Sequence, residues 1–194
     1  MEYSPTIINV TRQQLLSELR TQVSSKRFDH ILGVEQTALD LAKHYKADPQ
    51  KVSIAALLHD YAKEMPIAIL VEKALEYWDH PLFKEADSTI LHGFAAATIA
   101  RENFGITDED ILSAIAYHTM GAKNMSLIAK VLYIADYIEP GRSFPQVEEA
   151  RRIAYQNLDQ AALYKMKQTL HYLISQEYYI FPDALDVYNQ WIKS

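Results

Sequence analysis

A chain of 194 residues with 49% hydrophobic and 23% charged residues has the balance of one globular domain with a full core, and 5 Gly and 7 Pro leave few turns between long helices. The lack of cysteine excludes disulfides and thiolate metal sites, so any metal must be held by His, Asp or Glu. A formal net charge of -6 with dispersed basic residues speaks against a broad nucleic-acid surface, although two or three placed cations suffice for a small phosphorylated ligand.

Met1 to Val10 lacks the basic-then-apolar pattern of a signal peptide, and no apolar stretch approaches the roughly 20 residues of a membrane span. A cytoplasmic chain with no membrane partner is the expectation. Thr11 and Gln14 form a capping-box pattern that opens a helix through about Ser25. A second helix runs from about Phe28 to Tyr45, with Ile31, Val34, Ala38 and Leu41 on one face. Asp48-Pro49 starts a third, which leads through Ala55, Ala56 and Leu58 into His59-Asp60 before Met65-Pro66 bends or ends it.

A short helix follows over Ile67 to Trp78, then a loop around His80-Pro81. Leu91 to Phe104 reads as a helix closed by Gly105. Thr107 or Asp108 caps the next, which ends near His118. Ser126 then starts a helix reaching Ile138, stopped by Pro140-Gly141. From Pro145 the pattern is helical to the end, with a break near Phe181-Pro182 and an ambiguous Tyr-rich run at 177–181. No segment sustains a period of two. The expected fold is all-α.

Two acids sit where acids are costly. Asp60 follows the apolar run Ser53 to Leu58, and Asp136 interrupts Ile128 to Ala135. A buried carboxylate needs a cation. Lys63, three residues beyond Asp60, can pair with it on the same helical face. Asp136 has no basic residue at helical spacing, so its partner must come from elsewhere. One divalent ion would neutralise both acids, and neutral imidazoles would complete its shell. His30, His59, His92 and His118 each stand at the edge of an apolar helix face, whereas His44, His80 and His171 do not. Singly, such a histidine is more often a hydrogen-bonded core residue than a ligand; the set taken together points to a site. There is no glycine-rich phosphate loop, nucleophile elbow or His-Glu-x-x-His.

In order, His30, His59-Asp60 and Asp136 resemble the H…HD…D signature of the HD-domain metal-dependent phosphohydrolases. The stretches from Arg27 to Val34, Leu57 to Lys63, Leu91 to Gly93, Tyr117 to Gly121 and Tyr133 to Arg142 are similar to one subfamily, YqeK, the HD-type symmetrical bis(5'-nucleosyl)-tetraphosphatases. The likeness covers about residues 26–155. It implies a single HD-type helical bundle over 1–194, with 156–194 as a C-terminal helical extension packed on the core. It further implies a metal held by His30, His59, Asp60 and Asp136, iron before manganese, cobalt or zinc, with one ion or two. The implied reaction is cleavage of diadenosine tetraphosphate to two ADP by a metal-activated water, with a dinucleoside polyphosphate as partner and ADP or a GDP-like nucleotide as product.

The same likeness implies catalytic roles for Asp60, Lys63, His92 and His118. It implies nucleotide or phosphate contacts for His30, Lys63, His92, His118, Thr119, Asp136, Arg142, Phe181 and Pro182, with Asn189 nearby, and is compatible with a homodimer. His92 or His118 would protonate the leaving group or hold the phosphate. Rival readings are another HD-type nucleotide phosphatase or phosphodiesterase, and a non-catalytic nucleotide sensor. A purely structural helical domain leaves Asp60 and Asp136 buried without reason.

Overall fold

The computed structural model describes residues 1–193, and caps set where most of its helices begin. Thr11 accepts from Gln14 N while the Gln14 side chain accepts from Thr11 N, and α1 (Arg12–Gln22) follows. It ends three residues short of Ser25, because Ser24 turns extended and caps α2 (Ser25–Tyr45) through Arg27 N. Asp48 accepts from Gln50 N and Lys51 N, with Pro49 as the first residue of α3 (Pro49–Leu58). That helix stops before the His59-Asp60 doublet, which lies on the turn before Pro66.

After α4 (Ile67–Tyr77), Asp87 caps α5 (Ser88–Phe104) one turn before the expected Leu91. His92 therefore stands in the second turn. Asp108, not Thr107, caps α6 (Glu109–Tyr117), and Ser126 caps α7 (Leu127–Ile138). The expected helix from Pro145 to the 181 break is two: α8 (Val147–Ala154) and α9 (Leu158–Ser175), the second capped by Asn157 through Gln160 N. The run at 177–181 forms no regular element, with Glu177 in the left-handed region at φ 57°, and α10 (Pro182–Lys193) closes the described chain.

Among the described residues there are ten helices and no strand. Every residue of α3 from Val52 to Leu58 is buried, so this helix is the core rather than a lid on it. It packs against α2, α6 and α7, while α9 lies on α7, α8 and α10. Burying side chains such as Leu57, Leu58 and Ile54 contributes about 1.5–3 kcal/mol each. The α5–α6 contact is close because Gly93 has no side chain: a Cβ there would stand 2.6 Å from Ala116 O. This contact sets His92 beside His118. No described helix is long and apolar enough to cross a membrane.

Candidate metal centre

Asp60 lies at the meeting point of four histidines. His30 Nε2 is 3.6 Å from its Oδ2 and His59 Nε2 is 3.5 Å from the same atom. On the other side, His92 Nε2 and His118 Nε2 are 3.1 and 3.8 Å from Oδ1. Asp136 enters through His30, whose Nε2 is 3.3 Å from its Oδ1. Two sets of three residues, His30/His59/Asp60 and Asp60/His92/His118, each bring ligand atoms within 4.8 Å of one another. Asp136 belongs to neither set and stands beside the first.

The outer ring nitrogens decide what the inner ones can do. His59 Nδ1 donates to Ala56 O at 2.7 Å, His92 Nδ1 to Ser88 O at 2.8 Å and His118 Nδ1 to Ile115 O at 2.8 Å. His30 Nδ1 faces Glu139 Oε1 at 3.1 Å. Each partner is an acceptor, so in the neutral ring the hydrogen sits on Nδ1 and Nε2 carries a bare lone pair. All four lone pairs converge on Asp60. Nε2 of His30 and of His59 is buried and has no hydrogen-bond partner. Imidazoles held from behind by carbonyls or a carboxylate are oriented as metal ligands are.

Burial alone would raise Asp60, but His59 and His92 outweigh it and hold the carboxyl well below the usual range. Asp136 behaves alike: burial pushes up, and Lys165, His30 and Arg142 bring it well down. Burial lowers His92, and burial with the nearby His92 and His59 lowers His118 strongly. His59 is raised, because Asp60 outweighs its burial. Lys165 is pulled down to about 8, mainly by burial, with Asp136 opposing.

Lys63 does not pair with Asp60, although spacing allowed it. It makes no ion pair among the described residues, and its Nζ lies 3.4 Å from His92 Nδ1. Burial lowers it. Asp60 is met instead by Arg27 Nη1 at 2.6 Å, from the first turn of α2. Arg142 Nη2 donates to Asp136 Oδ1 at 2.8 Å, and Lys165 Nζ to Asp136 Oδ2 at 3.3 Å. Each acid thus has a basic neighbour, yet both still face His30 Nε2, where an ion pair by itself would not require them to meet.

Thr119 joins the cluster, its Oγ1 3.3 Å from His118 Nε2, and it also lines a cavity of about 450 Å³ between α5, α7, α9 and α10. Phe181 is a buried wall of this cavity; Pro182 is exposed at the start of α10 and outside the lining, and Asn189 is exposed. His80, set aside in the sequence, is buried against Trp78 with Asp183 at 3.4 Å, away from the cluster. Sequence reasoning assigned no role to Arg27, Glu139 or Lys165. Glu139 was visible as an acid three residues after Asp136, and Lys165 as a lysine beside buried Ala161, Ala162 and Met166.

A helical bundle with histidines and two aspartates converging in this order defines a class. The HD domain family matches residues 27–141, and the chain belongs to that family. Within it, three relatives named "Bis(5'-nucleosyl)-tetraphosphatase, symmetrical" span nearly the whole chain. That of Halalkalibacterium halodurans is 39% identical, over 93% of this chain and 97% of its own. That of Bacillus subtilis is 39% identical, over 95% and 99%, and that of Staphylococcus aureus 34% identical, over 95% and 95%. The crystal structure of a predicted HD superfamily hydrolase involved in NAD metabolism from Clostridium acetobutylicum superposes with a TM-score of 0.89. It is 36% identical, covering 95% of this chain and 98% of that one.

Proposed function

We propose that this chain hydrolyses dinucleoside tetraphosphates symmetrically, converting diadenosine tetraphosphate to two ADP at a metal centre formed by His30, His59, Asp60 and Asp136. The observation that carries it is the convergence of bare Nε2 lone pairs on Asp60, each ring held from behind at Nδ1. Such a donor set is incomplete without a cation. Nitrogen and oxygen donors without sulfur suit iron, with manganese, cobalt and zinc as alternatives. Asp60, His92 and His118 form a second group of donors, which would hold a further ion. When bound, a divalent ion there lowers the pKa of water from 15.7 toward about 7 and polarises the attacked phosphoryl group.

The protein's own groups supply the rest. Lys63, a half-buried ammonium with no carboxylate of its own, is a seat for a phosphate oxygen. Arg27 reaches the centre at Asp60 and Arg142 at Asp136, and both offset charge on the non-bridging oxygens, bidentately where the fork allows. His92 and His118 act as acceptors rather than acids, since Nε2 is bare and burial keeps both rings neutral. A departing ADP needs no proton at pH 7, because the second pKa of a terminal phosphate is about 6. Thr119 connects the phosphate end to the cavity, whose walls Phe181, Tyr133 and Met166 offer a nucleobase an apolar, aromatic seat.

Metal-loaded protein given diadenosine tetraphosphate should yield two ADP by chromatography. Release of inorganic phosphate, or of ATP with AMP, would replace this reading with another nucleotide hydrolase. Asp60→Ala should lose both metal and turnover; an active variant would remove Asp60 from the centre.

A further inference from the structure

Helix α9 serves two places at once. Met166, Thr169 and Leu170 wall the cavity, and Lys165 reaches into the metal centre. The lysine is 5% exposed at its side chain, and its Nζ lies 3.8 Å from the centroid of the Tyr133 ring. Its ammonium donates to three acceptors: Tyr133 O at 2.7 Å, His118 O at 3.2 Å and Asp136 Oδ2 at 3.3 Å. Three hydrogens meet three acceptors, so none is left for a phosphate.

Those acceptors are chosen from the centre itself. His118 O is among the last carbonyls of α6, which lack a partner within their own helix. A cation belongs at such an end. Asp136 gives Oδ2 to Lys165, while its Oδ1 receives Arg142 and faces His30 Nε2. We infer that Lys165 is a positioning residue. It turns Asp136 so that one oxygen faces the histidines, and it pins the turn that carries His118 and Thr119. The base cavity and the metal centre are thereby tied through one side chain, and α9 belongs to the working unit. This rests on the function proposed above.

Lys165→Met is the test, measured on cobalt(II)-loaded protein with helicity checked by circular dichroism. Leu158→Ala, a buried core change at the start of the same helix, controls for loosened packing. The expected result is an altered visible cobalt spectrum in Lys165→Met with a tenfold or greater loss of kcat at saturating metal and substrate. Leu158→Ala should keep the wild-type spectrum and kcat below its melting temperature. A wild-type spectrum and kcat in Lys165→Met overturn the inference, as does an equal change in Leu158→Ala. If Lys165→Met fails to fold, Lys165→Gln, which keeps a donor and drops the charge, is read by the same two criteria. Wild-type protein that takes up no cobalt would overturn the proposed function instead.

Discussion

His92 Nε2 and His118 Nε2 face each other at 2.9 Å, and both Nδ1 atoms are already spent on backbone carbonyls. Two lone pairs at that distance repel, and Asp60 Oδ1 at 3.1 and 3.8 Å adds a third acceptor. A cation between them converts repulsion into binding. Divalent metal should therefore stabilise the fold, by about 2.7 kcal/mol at a hundredfold excess over Kd. For a chain of this size that is about 5–10 °C in Tm. Thermal melts with cobalt(II) and with chelator measure it. Asp60→Ala should show no such shift.

Lys63→Met should weaken ADP binding tenfold or more while metal stoichiometry stays at the wild-type value, because Lys63 touches no carboxylate. Calorimetric titration of ADP and metal analysis check the two halves. Loss of metal in this variant would make Lys63 part of the ligand scaffold.

Acid sensitivity should be partly the work of His118. Burial, then His92 and His59, hold its folded form well below the usual range, while the unfolded chain takes up a proton near pH 6.5. The unfolded state then binds more protons, so stability falls as pH drops below about 6.5. His59, raised by Asp60 against its burial, runs the other way and adds stability below that pH. The difference isolates the effect: metal-free His118→Gln should lose less stability between pH 7.5 and 5.5 than metal-free wild type. Urea denaturation at the two pH values measures it, and equal losses would refute the assignment.

Gly93→Ala should damage both fold and site. The added methyl would stand 2.6 Å from Ala116 O, 3.0 Å from Ile115 O and 3.2 Å from His118 Nδ1. Backbone cannot yield cheaply, so α5 must move from α6 at a cost of about 1–3 kcal/mol. Because His92 and His118 sit on those helices, kcat should fall along with Tm. Normal turnover would show that the site tolerates their separation.

Glu139→Gln keeps the shape behind His30 but removes the charge and leaves one acceptor oxygen for two donors, His30 Nδ1 and Gly141 N. Metal affinity should drop about tenfold or more. Equilibrium metal titration against a competing chelator checks it.

Local signals were enough for the helical order, for the capped starts of α1, α3 and α7, and for naming His30, His59, Asp60, His92, His118 and Asp136 as candidates, which the fold brings near one another. Caps and apolar periodicity act within four residues, and a sequence displays that range directly. Even there, the Asp87 cap and the break at Asn157 went unread, since each lies inside a pattern that continues helically. Tertiary structure alone decided who meets whom. Arg27 and Asp60 are 33 residues apart, His30 and Glu139 109, Asp136 and Lys165 29. No spacing rule reaches so far. Partner choice at a buried charge depends on which helices cross there, and so Asp60 took Arg27 over the nearer Lys63.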